Sequence, residues 1–355
     1  MVRTDSPNTA WTECHEVTDD ARQLHCRPVH AQGHALTEMA RYLAGRLLLT
    51  LPTLLLATAL IFFMVRLVPG DPAQLMLGDI ENPEALARLR TSLGLDQPVW
   101  VQYGLWLGRV VQGDLGTSIV QQRPVIAMLL SAFGVTASLV VPAMLLAVLL
   151  AIPAGSIAAW KHNATADAGI MALATLFLSI PSFWLGLLFL LVFGVKLDLF
   201  PVVGYVSPLE NFREGLHYLV LPVLSLALIE TGVLVRMVRS STLDVLSLEY
   251  VTHARAKGLS EWTVMKRHVL RNAMAPTWTL VGLTLGTLLG GAVVTETVFT
   301  LPGLGRLMVE AIFARDYPVV QGCMLLITTT YVAVNLLIEL TYPLFDPGVR
   351  PWSAS

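Results

Sequence analysis

Six stretches of this 355-residue chain are long and apolar enough to cross a bilayer, and no other feature limits the fold as much. A crossing helix needs about 20 consecutive, mostly apolar residues. The first stretch runs from Arg46 to about Leu67 and the second from about Ala132 to Trp160. The third covers about Ala168 to Val195, the fourth about Leu216 to Val238, the fifth Thr277 to about Phe299, and the sixth about Val319 to Tyr342. Hydrocarbon offers no partner to a backbone N–H or C=O, so such segments must be helices. The predicted fold is therefore all-α, one polytopic membrane domain of six transmembrane helices. Charged residues are 14% of the chain, where a soluble domain carries about a quarter, so a water-facing coat is missing. A net charge of −2 points to no nucleic-acid partner, and Cys14, Cys26 and Cys323 are too few and scattered for a disulfide framework.

Three polar stretches organise the rest: residues 1–38, a long loop over 68–131, and a basic loop over 239–276. Lys and Arg near span ends set orientation. Over the short loops the bias puts the N-terminus inside, with Lys161 and the loop carrying Arg255, Lys257, Lys266, Arg267 and Arg271 on the same side. Both termini are then cytoplasmic and the 68–131 loop is external. Residues 1–38 have no apolar centre, so they are not a signal peptide, and they read as a disordered tail. Cys14, His15, His25, Cys26, His30 and His34 are metal-ligand types, but their spacing matches no standard zinc pattern.

The basic loop poses the sharpest question. From Leu243 to Lys257 the pattern suits a helix, with Leu243, Val245, Leu246, Leu248 and Val251 on its apolar side. Gly258 can take the left-handed conformation that ends a helix. Ser260 can cap the next helix, with Glu261 in its first turn. A basic helix–turn–helix invites a DNA-binding reading, but both ends enter spans within a few residues and neither helix could reach a major groove. Anionic lipid would explain the charge but not the break at Gly258. A docking surface for another protein explains both.

Here the residues resemble a known family. The loop is similar to the cytoplasmic motif of ABC-importer permeases, E-A-A, three residues, then glycine, with a proline eighteen residues later, a spacing that Gly258 and Pro276 reproduce. Thr252 and His253 stand where the motif has Glu and its first Ala. The form "ARAKGLSE…RHVLRNAMAP" resembles the dipeptide, oligopeptide and nickel branch. "RLVPGDP" (66–72), "LGLDQPVWVQY" (93–103), "GDLGTS" (113–118), "SIPSFWLGLL" (179–188), "ETVFTLPGLGRLMVEAIFARDYPVVQG" (296–322) and "LFDPGVR" (344–350) follow in the order of that branch. The family begins near "MARYLAGRLL" at Met39, so residues 1–38 read as a lineage-specific tail or a stretch ahead of the true start.

The resemblance implies the type I importer permease fold, a prokaryotic cytoplasmic membrane, and transport of peptides, nickel chelates or other small solutes. It implies a second, homologous permease, two ABC ATPase subunits that carry ATP and magnesium, an extracytoplasmic binding protein, and surrounding lipid. The chain itself would hold no cofactor and catalyse nothing; it has no G-x-x-x-x-G-K-[ST] phosphate loop. The ATPase contact would be Ala254, Arg255, Ala256, Lys257, Gly258, Leu259, Ser260 and Glu261. On the residues alone an ion-coupled secondary transporter competes, with Glu230 as its ion site, although no internal repeat is visible.

Several residues keep two readings. Glu230 lies well inside the fourth span, where an acid is costly; it either faces a translocation path or pairs with an Arg or hydroxyl. Glu296 and Glu339, near span ends, read as structural. Pro52, Pro142, Pro153, Pro181 and Pro222 each interrupt a span, as packing kinks or as hinges. Gly282, Gly286 and Gly290 share a helix face, for a helix of this chain or of another. "PEALARLRTSLGL" in the external loop reads as a helical cap, either meeting a binding protein or packing on its own bundle.

Overall fold

The computed structural model describes residues 12–15, 25–28, 31–67, 83–92, 94 and 96–342. Its long helices are α1 (Ala31–Leu67), α4 (Val125–Trp160), α7 (Phe212–Leu246), α10 (Leu270–Val298) and α12 (Tyr317–Thr341). Shorter ones are α2 (Pro83–Ser92), α3 (Val99–Val111), α5 (Thr165–Ser179), α6 (Ser182–Phe189), α8 (Glu249–Ala256), α9 (Glu261–Val264) and α11 (Leu304–Phe313). The described residues hold five helices long and apolar enough to cross a membrane, or six if the bent pair α5–α6 is one span.

That pair covers the expected third span, about Ala168 to Val195, and breaks it in the middle. α5 and α6, which continues through a π-helical turn over Leu190–Lys196, meet at 96°. Pro181 is the cause: a proline pushes the residue before it out of the helical region, and Ile180 is extended at φ −93°, ψ 124°. Pro52, Pro142, Pro153 and Pro222 lie inside continuous helices instead. A bundle can re-satisfy the backbone groups that those prolines free.

The all-α expectation holds for the membrane domain. Of the stretch expected to be disordered, residues 12–15 and 25–28 are described ahead of α1, and there Thr12–His15 (β1) and His25–Pro28 (β2) pair as an antiparallel ribbon. α1 starts at Ala31, ahead of Met39, because residues from Ala31 onward are mostly good helix formers and extend the span backwards.

The bundle is built around α4 and α7, its most extensive helix pair. Ala143, Ala147 and Ala151 recur every four residues on α4 and are fully buried. Gly155 continues the stripe, and a methyl group there would meet Val238 Cβ at 2.7 Å and the Val235 carbonyl oxygen at 2.8 Å. Small residues at this spacing let two helix backbones approach, which is how packing replaces the hydrophobic drive in lipid. The glycines of α10 divide: Gly282 faces Ile338 and Gly286 faces Tyr331, both on α12 of this chain, while Gly290 faces open space. A second cluster at one end joins Val125, Met128 and Leu129 to Leu304, Val319 and Cys323. At the opposite end, which carries α8 and α9, Arg46 of α1 pairs with Glu339 of α12 at 3.2 Å, giving Glu339 its structural role.

Candidate functional site

The basic loop is a small folded unit. α7 stops at Leu246, where Ser247 and an extended Leu248 (φ −76°, ψ 142°) separate it from α8, so the helix expected over Leu243–Lys257 is two helices. Gly258 is left-handed at φ +79°, and its N–H returns to the Arg255 carbonyl at 2.9 Å. Ser260 caps α9 as its sequence position predicts, its hydroxyl accepting from the Thr263 N–H at 3.4 Å. Across the turn Arg255 donates twice to Glu261, Nε to Oε1 at 2.9 Å and Nη2 to Oε2 at 3.2 Å. Both side chains are partly exposed, so this pair holds the turn's shape more than it stabilises the fold.

Beneath the turn Val251, Val264 and Val269 are fully buried together with Ala254 and Met265. α9 runs into a π-helical turn, Met265–Val269, before α10. The Asn272 amide donates to the Tyr250 hydroxyl at 2.7 Å, and that hydroxyl donates to the His268 carbonyl at 3.1 Å, locking the two arms together. Of the eight residues singled out, Arg255, Ala256, Lys257, Gly258, Leu259, Ser260 and Glu261 are exposed. Ala254 is buried and supports the surface from below. At the tip Leu259 and Trp262 stand out of the surface, Trp262 at 65% exposure, with Lys257, Lys266 and Arg267 around them. Exposed tryptophans of this kind are enriched at protein–protein interfaces.

Sequence reading missed the joint that fastens this unit to the bundle. Arg239 of α7 donates to both oxygens of Asp167 in the first turn of α5, at 2.6 and 2.8 Å, and the Asn163 N–H adds a bond to Asp167 at 3.1 Å. His162 Nδ1 lies 3.1 Å from the Arg239 guanidinium. The Asp167 side chain is only 6% exposed. The available signal was an acid just past the Lys161 turn, on the side of the membrane where Arg239 also falls.

Two further joints sit at the opposite end. Glu296 is fully buried; Thr136 of α4 donates to its Oε1 at 2.6 Å and the Arg306 N–H to its Oε2 at 2.9 Å, while the Leu304 N–H donates to Thr136 at 2.8 Å. The carboxylate thus caps α11 from another helix, as the structural reading of Glu296 expected. Asp316 accepts from the Ser118 hydroxyl and from the N–H groups of Ile119 (3.1 Å) and Val120 (3.3 Å), tying "GDLGTS" to the turn before α12.

Glu230 lies midway along α7, half-buried, with Leu226 and Ala227 one turn before it and Leu234 one turn after, all buried. Among the described residues it has no hydrogen-bond or ion-pair partner. No group of three or more His, Cys, Asp or Glu among the described residues is placed to hold a metal ion. In the ribbon Cys14 lies opposite Cys26 and His15 opposite His25, but those side chains, with His30 and His34, fall outside the described residues.

The family model for binding-protein-dependent transport system inner membrane components matches residues 151–351, and its N-terminal companion matches residues 39–140. A dipeptide transport system permease of Alkalihalophilus pseudofirmus is 37% identical over 332 residues, covering 88% of this chain and 100% of the relative. A glutathione transport system permease of Salmonella choleraesuis is 42% identical over 312 residues, covering 88% of this chain and 99% of the relative. With these matches running from Met39 through the helical bundle and the Gly258 loop, the chain belongs to the inner-membrane permease components of ABC importers, the multi-pass membrane subunit and not the ATPase.

Proposed function

We propose that this chain is one of two related permease subunits of an ATP-driven peptide importer in the cytoplasmic membrane of a prokaryote. The exposed Leu259–Trp262 tip carries the reading: it is a rigid protein-docking knob spliced between two spans by short joints. It faces the cytoplasm, with both chain termini on that side, and seats in a groove of an ABC ATPase subunit; residues 254–261 form the contact. The ATPases carry ATP and magnesium, this chain carries no cofactor, and an extracytoplasmic binding protein delivers the substrate. The relatives' names favour peptides over nickel chelates or other solutes.

The geometry suggests how force would pass. α8 continues into α7 after two residues and α9 continues into α10 through a helical turn, so a push on the tip acts on both spans. The Asp167–Arg239 pair carries α5 along with α7. ATPase closure around ATP then tilts the three together and switches access to the central cavity.

Purification of the chain from its native membranes in mild detergent tests this, followed by uptake in proteoliposomes. Two ATPases and a second permease are expected to co-purify, and labelled di- or oligopeptide to enter only with ATP and the binding protein. Uptake driven by a proton gradient without any ATPase would replace this reading with an ion-coupled carrier centred on Glu230.

Glu230 is the candidate path residue, a carboxylate able to meet a peptide's amino group. Glu230→Gln keeps the shape and removes the charge. It is expected to slow uptake of peptides with a free amino terminus about fivefold, the scale of one charge pair worth about 1 kcal/mol. Uptake of N-acetylated analogues should not change, and equal effects on both classes would remove Glu230 from the path.

A further inference from the structure

The segment between α1 and α4 reads as a polar external loop, yet α3 is not polar. Its inward side is Gln102, Tyr103, Trp106, Leu107 and Val110. Its outward side is Trp100, Val101, Gly104, Leu105, Gly108 and Val111, with Trp100 at 74% and Val111 at 80% exposure. A helix apolar on every side belongs in a core or in a membrane. No charge falls between Val99 and Gly108, and the first is Arg109. At 13 residues α3 is about 20 Å long, too short to cross a hydrocarbon layer of about 30 Å.

Its contacts with α1 give its depth. The Tyr103 hydroxyl donates to the Leu55 carbonyl at 3.3 Å and lies 3.0 Å from the Thr58 hydroxyl. The Phe62 ring centre lies 5.5 Å from those of both Tyr103, met edge-on, and Trp106, met at a tilt. Leu55 and Thr58 lie inside the span Leu48–Arg66, about 12–17 Å from its Arg66 end at 1.5 Å per residue. Water does not reach a lipid-facing surface at that level, and the Tyr103 hydroxyl finds its partners within the protein, as a polar group there must. Arg66, over the Phe62 ring at 5.1 Å, marks where α1 meets the headgroups.

We propose that α3 is a half-depth membrane helix whose outward face is covered by the acyl chains of the leaflet opposite the Gly258 loop. The face continues the exposed apolar side of α1 (Leu56, Leu60, Met64), the outermost span, so one lipid belt runs across both. At Gly104 and Gly108, beside the exposed Trp100 and Leu105, an added methyl group would meet nothing within 4 Å, so this face is open to acyl chains. The inference needs only that α1 crosses the membrane and stands apart from the peptide reading.

The test is spin-label accessibility in the assembled transporter in lipid nanodiscs. Single cysteines enter at Trp100→Cys and Leu105→Cys, with Val120→Cys, 59% exposed beyond α3, as the aqueous reference. Cys14 and Cys26 become serine, and Cys323 stays because it is fully buried. Oxygen is expected to collide with labels at 100 and 105 severalfold more than a water-soluble nickel chelate does, with the reverse at 120. Chelate access at 100 and 105 would make α3 an aqueous cap and overturn the proposal. Low access to both probes would also overturn it, placing another subunit on the Gly104–Gly108 face.

Discussion

Gly258→Val leaves the chain in the membrane at near-normal amounts and lowers ATP-driven uptake about tenfold. The local argument is conformational: at φ +79° a residue with a β-carbon is strained by roughly 1–2 kcal/mol, and a β-branched one by the upper part of that range. Nothing lies within 4 Å of the site, so no steric clash destabilises the bundle. The strain is relieved by moving the turn, which displaces Leu259 and Trp262 relative to Val251 and Val264 beneath them. A penalty of about 1.4 kcal/mol reduces the docking-competent turn tenfold. Gly258→Asn, which tolerates the left-handed region better, is expected to keep a larger share of uptake. Membrane abundance measured beside uptake separates the two levels; equal uptake in all three forms would show that this turn is not where the ATPase acts.

The second large effect is on stability. Glu296→Ala removes a fully buried carboxylate that organises the segment from Phe299 to Arg306. The Thr136 hydroxyl can fall back on the Ala132 carbonyl at 3.3 Å, but the Arg306 N–H loses its acceptor in a half-buried site. One orphaned donor together with the space of the lost side chain is expected to cost about 3–5 kcal/mol. Gly303→Ala should resemble it from the other partner, because a methyl group on Gly303 would overlap the Glu296 carboxylate. Glu296→Gln keeps an oxygen for the Arg306 N–H and should lose much less. Thermal unfolding in detergent reads all three; a melting temperature unchanged in Glu296→Ala would mean that the loop holds itself.

The path from residues to these two sites was uneven. For the Gly258 turn the sequence carried nearly the whole local design, because caps and left-handed glycines act on neighbours a few residues away. Only the break at Ser247–Leu248 was missed, since the apolar pattern runs through it unchanged and an extended Leu248 leaves no compositional mark. The bent third span was half legible: Pro181 was visible, but four other prolines in spans left their helices continuous. Which proline breaks a helix depends on whether neighbouring helices can take over the freed backbone groups.

What the sequence determined by itself was the solvent each segment lives in: runs of about 20 apolar residues dictate helices and their number, since hydrocarbon pairs with no backbone group. It also determined the local chemistry of the turn at Gly258 and Ser260. The tertiary structure alone decided which charges meet: Asp167 with Arg239 and Glu296 with Thr136, partners 72 and 160 residues apart. It alone sent Gly282 and Gly286 to α12 and lowered α3 from a loop to the level of Leu55. The reason is common to all of these. Helix formation and membrane insertion follow from composition along one continuous segment, whereas a buried charge or a close helix contact is paired by packing between segments that no local pattern connects.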